Sequence, residues 1–166
     1  DAYRSAIAAD PTFRPPHYAL ADLLRRTGRF DEADREFWIA VDNGLVEPTT
    51  SIVKVATQYR NQGEIDRAGR ILDEGRRRYP ESPDIWLHFG AFFGEIGDYE
   101  RSAKALERAI TLAPDDPLGY RNLAAAQVAL GDRDAALQTL HEGLRRDPKN
   151  KEIKQMLAQY EGFEGP

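Results

Sequence analysis

Four glycines divide the sequence at nearly constant intervals, and this spacing constrains the fold more than any other feature. Gly28, Gly63, Gly97 and Gly131 lie 35, 34 and 34 residues apart, and each separates two stretches with helical apolar periodicity. A repeat length of about 20 to 50 residues is typical of proteins whose units pack on their neighbours. A glycine between two helices can take the left-handed backbone conformation that ends the first helix. The spacing therefore predicts an all-α protein built from antiparallel helix pairs.

Helix-start signals agree with this division. Ser82 and Asp116 each precede a proline and are predicted to cap a first helix with their side-chain oxygens. The proline is tolerated at the first helical position because the N–H that it lacks would have no partner there. Asp98 and Asp132 follow two of the glycines and are predicted to cap, or to lie in the first turn of, the second helices.

The third unit carries the most informative residue pattern. Trp86, Phe89, Gly90 and Phe93 precede Gly97, and Ser102, Leu106, Ala109 and Pro114 follow it. This order resembles the tetratricopeptide repeat, which has aromatic and small residues on a first helix, Ala and Phe on a second helix, and then Pro. Two further units align through Ile52, Val55, Ala56, Tyr59, Ala68, Leu72, Gly75, Pro80, and through Tyr120, Leu123, Ala124, Gln127, Ala136, Leu140, Gly143, Pro148.

The first full unit is the most divergent. It matches through His17, Leu20, Ala21, Leu24, Ala33, Phe37 and Ala40, but it has Leu45 where the others have proline, and one extra residue. His17 stands where the repeat has a packed aromatic residue, so we expect it to be in the core or half-buried.

The resemblance implies one right-handed solenoid domain with defined segments. We expect the second helix of a truncated leading repeat (with Tyr3, Ala6 and Pro11), four full repeats, a capping helix and a tail, at residues 1–13, 14–48, 49–82, 83–116, 117–150, 151–161 and 162–166. Terminal caps of this kind cover a stacking face that would otherwise be exposed.

The composition offers little chemistry. Cysteine is absent, three histidines occur, and the formal net charge is -5. No HExxH-type metal motif and no glycine-rich phosphate loop is present. We therefore expect no catalytic residues, no cofactor and no metal site, and we expect that the chain is not an enzyme. We also expect neither nucleic-acid binding nor membrane insertion. For compartment, the cytoplasm is favoured over the periplasm, and the preference for arginine over lysine fits a bacterial source.

The resemblance also implies a binding surface, because first helices of successive tetratricopeptide units line a groove that receives a peptide. The residues at those positions are Tyr18, Asp22, Arg25, Arg26, Val53, Lys54, Thr57, Arg60, Asn61, Leu87, His88, Ala91, Arg121, Asn122 and Ala125. Arginine and lysine make the first half cationic, and the second half is apolar and roomy. A partner segment with acidic and apolar parts would suit it. The alternative for each arginine is an ion pair on its own helix surface.

One subfamily captures the acidic C-termini of heat-shock chaperones with a clamp of lysine, asparagine and arginine. At the corresponding positions this chain has Tyr18, Asp22, Lys54, Asp84 and His88, or, one unit later, Val53, Thr57, His88, Leu118 and Asn122. Neither set matches the clamp, so we do not expect a chaperone C-terminus as the partner.

Three alternatives to an adaptor with a groove-bound partner stay open. Trp38 and Ile39 could form a docking patch on a second helix, or fold against the exit segment 42–46. The chain could be a substrate-positioning or regulatory region of a larger transferase or hydrolase. It could also self-assemble through its terminal units, where Tyr3 and Ile7 could expose a stacking face.

Overall fold

The computed structural model describes residues 2–10, 12 and 14–162, and within them all regular structure is helical. The helices are α1 (Ala2–Ala9), α2 (Arg14–Arg26), α3 (Phe30–Asp42), α4 (Pro48–Asn61), α5 (Ile65–Arg78), α6 (Pro83–Glu95), α7 (Tyr99–Leu112), α8 (Pro117–Ala129), α9 (Arg133–Arg146) and α10 (Lys151–Glu161). Neighbouring helices pack in antiparallel pairs. The predicted all-α fold of helix pairs is confirmed.

The chain divides into two compact units. Unit 1 comprises Asp1–Pro48 and unit 2 comprises Thr49–Pro166. Unit 1 contains α1 to α3, and unit 2 contains α4 to α10, except that Pro48, the first residue of α4, falls in unit 1. The expectation of one continuous solenoid stays a prediction.

The four repeated glycines make the predicted turns. Their φ angles are 74° at Gly28, 80° at Gly63, 85° at Gly97 and 83° at Gly131. In each turn the glycine N–H donates to the carbonyl three residues earlier, and the next N–H donates to the carbonyl five residues earlier. This bonding satisfies carbonyls that the helix end leaves unpaired, and it requires a left-handed residue at the glycine.

A fifth turn of the same kind explains the divergent exit of the first full unit. Gly44 has φ 80°, its N–H donates to Val41 O at 2.9 Å, and Leu45 N–H donates to Ala40 O at 3.0 Å. The other second helices, α5, α7 and α9, end without such a glycine, and a proline follows. A glycine turn thus replaces the proline, and the Asn43-Gly44 pair was the sequence signal for it.

The predicted N-caps are confirmed. Ser82 Oγ accepts from Ile85 N at 3.4 Å, and Asp116 Oδ1 accepts from Leu118 N at 2.9 Å. Asp98 and Asp132 cap α7 and α9 in the same way. Asn150 also caps α10, because its Oδ1 accepts a hydrogen bond from Ile153 N at 3.0 Å. These side-chain acceptors fix where each helix begins.

The core of unit 1 joins all three of its helices. Leu20 and Leu24 of α2 pack with Ala33 of α3, and Ile7 of α1 packs against them. Ile7 is thus partly buried within the unit, whereas Tyr3 is 42% exposed, and self-assembly through this end stays a prediction. Pro11, predicted to end the leading helix, lies outside the described residues.

His17 is buried in unit 1, as expected. Its side chain is 3% exposed, and its Nδ1 lies 2.6 Å from Glu36 Oε2 of α3. The carboxylate satisfies a polar ring that takes the place of an aromatic side chain.

In unit 2, α10 completes the core of the last helix pair. Ile153 of α10 is fully buried with Tyr120, Ala124, Ala136 and Leu140. Arg133 of α9 donates to the carbonyls of Tyr160 and Glu161 at 2.7 and 2.9 Å, which holds the C-terminal end of α10 against α9. Carbonyls at a helix end otherwise lack intrahelical partners.

A hydrogen bond that recurs between helix pairs fixes the start of α6 and of α8. Trp86 Nε1 donates to Pro80 O, and Tyr120 Oη donates to Pro114 O, both at 2.8 Å and both across six residues. The aromatic position of the repeat thus supplies a donor as well as apolar surface.

Candidate functional site

Two adjoining cavities follow the first helices of unit 2. The α4–α6 cavity measures about 350 Å³, and its lining includes Val53, Thr57, Arg60, His88 and Ala91. The α6–α8 cavity measures about 270 Å³, and its lining includes Ala91, Gly94, Asn122 and Ala125. Ala91 and Glu95 line both, so the cavities adjoin along α6. We call the two cavities together the groove.

The charges of the α4–α6 cavity are largely paired. Arg60 Nη1 donates to both oxygens of Glu95, at 2.8 and 2.7 Å, and this contact links α4 to α6. Both side chains are accessible, so the pair is a weak, salt-sensitive interaction that a charged guest can exchange.

His88 lies beside this ion pair. Although its side chain is exposed, desolvation of the imidazole ring lowers the pKa of His88; Asp84 opposes this effect and Arg60 adds to it. A lowered pKa favours the neutral ring, which can both donate and accept a hydrogen bond.

Small residues make the α6–α8 cavity. Ala91, Ala125 and Gly94 leave open space between α6 and α8, and Tyr99 and Ser102 of α7 close one side. A Cβ at Gly94 would lie 3.1 Å from Ser102 Oγ, so α7 approaches α6 closely here. Tyr99 and Ser102 were not among the predicted site residues. The small residues at one-turn spacing on α6 were the available signal for this cavity.

Leu87 was predicted to line the groove, but it lines neither of the two cavities. It is 8% exposed and packs with Leu106, Ala109 and Leu123, because α8 covers that face of α6. Arg121 is also engaged, since it forms an ion pair with Glu152 of α10. Lys54 and Asn61 are exposed on α4. The apolar half of the groove therefore includes Ala91, Gly94 and Ala125 but lacks the predicted Leu87.

The predicted residues of unit 1 form a cluster of their own. Arg25 and Arg26 both contact Asp22, and Arg26 Nε lies 2.9 Å from Asp22 Oδ2. Arg25 is only 4% exposed, so the expectation of an open groove cation at this position is wrong. Tyr18 lies against Phe37, with ring centroids 6.2 Å apart. The alternative of ion pairs on one helix describes Asp22, Arg25 and Arg26.

The possible docking patch on α3 is partly packed. The Trp38 ring lies 5.0 Å from the Phe37 ring and is half-buried, whereas Ile39 is 38% exposed. One exposed isoleucine does not make an extended apolar surface.

Two further features, a cluster of metal-ligating side chains and a membrane-spanning helix, are absent from the described part of the chain. No group of three His, Cys, Asp or Glu side chains there could hold a metal ion. None of the described helices is long and apolar enough to cross a bilayer.

Known proteins similar to this chain share its repeat. Sequence profiles described as tetratricopeptide repeat match residues 15–37, 56–117 and 95–160. Hsp70-Hsp90 organizing protein 3 of Arabidopsis thaliana is 32% identical over 86 residues, which are 52% of this chain and 15% of that protein. Human protein O-mannosyl-transferase TMTC1 is 23% identical over 170 residues, covering 98% of this chain and 19% of that protein. The chain thus spans less than a fifth of either relative.

A solved structure shows the same fold. The first tetratricopeptide domain of Spaghetti (RPAP3), bound to the HSP90 peptide SRMEEVD, superposes with a TM-score of 0.62 and 18% identity over 68% of this chain and 90% of that one. At this identity the likeness shows the fold alone. With the repeated glycine turns and helix pairs, these matches show that the chain belongs to the tetratricopeptide repeat family.

Proposed function

We propose that this chain is a protein-interaction module that binds an extended segment of a partner protein in the groove. The continuity of the two cavities along α6, through Ala91 and Glu95, carries the proposal. A segment lying across α4, α6 and α8 would contact both cavities at once. Membership of the tetratricopeptide family supports this role by analogy of fold.

The chemistry of the groove defines the segment. The α6–α8 cavity, made by Ala91, Gly94 and Ala125, accepts apolar side chains. At the α4–α6 cavity an acidic residue of the segment would replace Glu95 as the partner of the Arg60 guanidinium. The His88 ring would form a hydrogen bond with the backbone of the segment. The proposed partner therefore has an apolar part followed or preceded by an acidic part.

Selection of peptides from a display library on the whole chain would test this function. Groove binders should lose affinity when Ala125→Arg fills the α6–α8 cavity, and when Arg60→Glu reverses the charge of the α4–α6 cavity. Ala158→Arg, on the exposed surface of α10, is the matched control for added arginine. Selected peptides that bind both groove variants as tightly as the control would sink the proposal. Arg25 is unsuitable for such a test because it is buried against Asp22.

We propose further that the segment is not a chaperone C-terminus. The residues at the clamp positions of this chain include Asp22, Asp84 and Leu118, and a carboxylate or an apolar side chain cannot bind a carboxylate-rich terminus. A labelled SRMEEVD peptide with a free carboxylate should show no saturable binding in fluorescence polarisation. Saturable binding that is lost on amidation of the peptide terminus would reverse this proposal.

A second candidate function is a substrate-positioning region of a larger transferase. The similarity to human O-mannosyl-transferase TMTC1 over 98% of this chain favours it. The sequence of the complete protein distinguishes the adaptor from the enzyme region. Further helical repeats alone would support an adaptor, whereas an α/β or transferase pattern would support a region of an enzyme.

Self-assembly is distinguished by mass in solution. On α1, Tyr3 is 42% exposed and Ile7 is partly buried against the core of unit 1, so Tyr3 is the larger apolar contact available for stacking. Sedimentation should give the mass of one chain at every concentration, and a mass that rises with concentration would favour the self-assembly module.

A further inference from the structure

A third cavity lies on the other side of α6 from the groove, between α5, α6 and the start of α7. It measures about 560 Å³, and its lining includes Ile65, Gly69, Arg70, Phe89, Phe93 and Ile96. None of the predicted groove residues belongs to it. We propose that this α5–α6 cavity is a second binding site, which takes an aromatic side chain of a partner protein flanked by acidic residues.

Gly69 opens the cavity. A Cβ at this position would lie 3.1 Å from Phe92 Cε1, so any larger side chain would occupy the space above the phenylalanine rings. The residue at the same place in the last helix pair, two repeats later, is Leu137, which has the bulk to fill such a space. The equivalent positions of the other repeats hold Asp34, Ala103 and Leu137, so among the four full repeats glycine stands here only in this helix pair.

The floor of the cavity is aromatic. The Phe89 and Phe93 rings are 4.6 Å apart and tilted by 49°, and the Phe92 and Phe93 rings are 5.2 Å apart and nearly perpendicular. Aromatic rings at such distances prefer tilted and edge-to-face contacts, so an incoming aromatic ring can extend the cluster. Ile65 and Ile96, 37% and 46% exposed, supply apolar contacts at the rim.

The charges around this floor select acidic neighbours for that aromatic group. Arg70, Arg76 and Arg101 line the cavity with only Asp66 and Asp73, so the lining is positive in a chain of net charge -5. Asp73 is shared between two arginines, because Arg76 and Arg77 each place Nη2 2.6 Å from one of its oxygens. Arg101 Nε lies 3.2 Å from Asp98 Oδ2, so Arg70 is the lining cation with which a partner carboxylate would pair.

Two of these arginines also lie over the rings. The Arg76 Cζ is 5.1 Å from the centroid of Phe89, and the Arg101 Cζ is 5.1 Å from the centroid of Phe93. Stacking on a ring holds each guanidinium in place, and each also contacts a carboxylate of this chain, Arg76 that of Asp73 and Arg101 that of Asp98. The exposed Arg70 therefore lies beside an aromatic floor bordered by ordered ion pairs, which matches an aromatic residue next to glutamate or aspartate.

The α5–α6 cavity is distinct from the groove. Phe92 lines both the α5–α6 cavity and the α4–α6 cavity, so its ring forms the wall between them. The inference consequently does not rest on the proposed function of the groove, and variants can separate the two sites.

The test uses the whole chain and a fluorescent peptide with blocked ends that carries one tryptophan flanked on each side by glutamates. Polarisation should show saturable binding, which is lost when alanine replaces the tryptophan. Arg70→Glu should weaken binding by at least about fivefold, since it turns an attraction into a repulsion. Lys104→Glu, an exposed residue of α7 outside the cavity, makes the same change in net charge and should leave affinity unchanged.

A cavity-filling variant, Gly69→Leu, should abolish binding and keep the helical circular dichroism of the parent. Should that variant unfold, Arg70→Glu still decides, because Arg70 is exposed. The proposal fails if the tryptophan peptide does not bind, if Arg70→Glu and Lys104→Glu bind equally, or if Ala125→Arg in the groove abolishes binding instead. It also fails if sedimentation shows a dimer that Arg70→Glu dissociates, since a second copy would then occupy the cavity.

Discussion

At Gly90 the helices of one pair approach so closely that a single methyl group has no room. A Cβ at this position would lie 2.6 Å from Leu106 Cγ and 3.2 Å from the Ser102 carbonyl oxygen. Gly90→Ala should lower the free energy of unfolding by about 1 kcal/mol, because overpacking costs about 1 to 3 kcal/mol and the gain in helix propensity returns about 0.5 to 1 kcal/mol. Urea unfolding followed by circular dichroism measures the difference.

Gly69→Ala is the matched control for Gly90→Ala. Gly69 is also helical, but its only close neighbour is the edge of the Phe92 ring, at 3.1 Å, which can move by a few tenths of an ångström. We expect little loss of stability there. Equal destabilisation by both substitutions would mean that the methyl group at Gly90 is not what matters.

His88 provides a second test at the residue scale. Its pKa should lie below the ordinary value of 6.5 in an NMR titration of the imidazole ring, because desolvation disfavours the charged form. Arg60→Gln should raise this pKa by removing a repelling cation, and Asp84→Asn should lower it further. A pKa at or above 6.5 in the parent, or shifts of opposite sign in the variants, would contradict the described surroundings of the ring.

The sign of the effect on stability follows from the direction of the His88 pKa. Below pH 6.5 the unfolded chain binds a proton on His88 more readily than the folded chain does, so this residue makes stability fall as the pH drops through the range just below 6.5. His88→Gln should flatten that part of the pH–stability profile. The slope should be unchanged near pH 8, where both states are neutral at this residue.

At the scale of the helix, the N-caps give the clearest test. Asp132 accepts a hydrogen bond from Ala135 N at 2.9 Å and begins α9 after the turn at Gly131. Asp132→Ala should cost about 1 kcal/mol of unfolding free energy. Asp134→Ala removes another carboxylate from the first turn of α9 without removing a cap, so it separates capping from the helix dipole. Equal losses from the two substitutions would show that charge alone acts here.

Helix pairs and turns were predictable because they depend on local chemistry. A glycine that ends a helix and an aspartate that begins one leave residue-level signals, and so the turn at Gly97 and the cap at Asp98 were confirmed. The turn at Gly44 stands where the other units have a proline, so alignment with those units does not predict it.

The candidate site was less predictable because it depends on which helix covers which face. Spacing put Leu87 on the groove side of α6, but contact with Leu123 of α8 buries it. Arg25 was expected as an open cation, and its burial against Asp22 depends on packing that no spacing rule contains. The α5–α6 cavity depends on a single glycine, Gly69, opposite a phenylalanine more than twenty residues away in the sequence.

For the whole molecule, the division into two units locates the proposed groove within one of them. Every residue that lines the α4–α6 and α6–α8 cavities lies in unit 2, from Val53 to Ala126. In repeat proteins each unit gains stability mainly from its immediate neighbours, so a run of pairs with its own core can fold alone. A fragment that begins at Pro48, the first residue of α4, should therefore unfold cooperatively and keep its helical circular dichroism.

The same fragment tests whether unit 1 contributes to binding. Peptides selected on the whole chain should bind the fragment with unchanged Kd, because Arg60, Ala91 and Ala125 are all retained. A matched substitution in the whole chain, Arg26→Glu, alters an exposed cation of unit 1 and should leave Kd unchanged as well. A rise in Kd of about tenfold in both, equivalent to about 1.4 kcal/mol, would show that the predicted residues Tyr18, Asp22 and Arg26 form part of one longer binding surface.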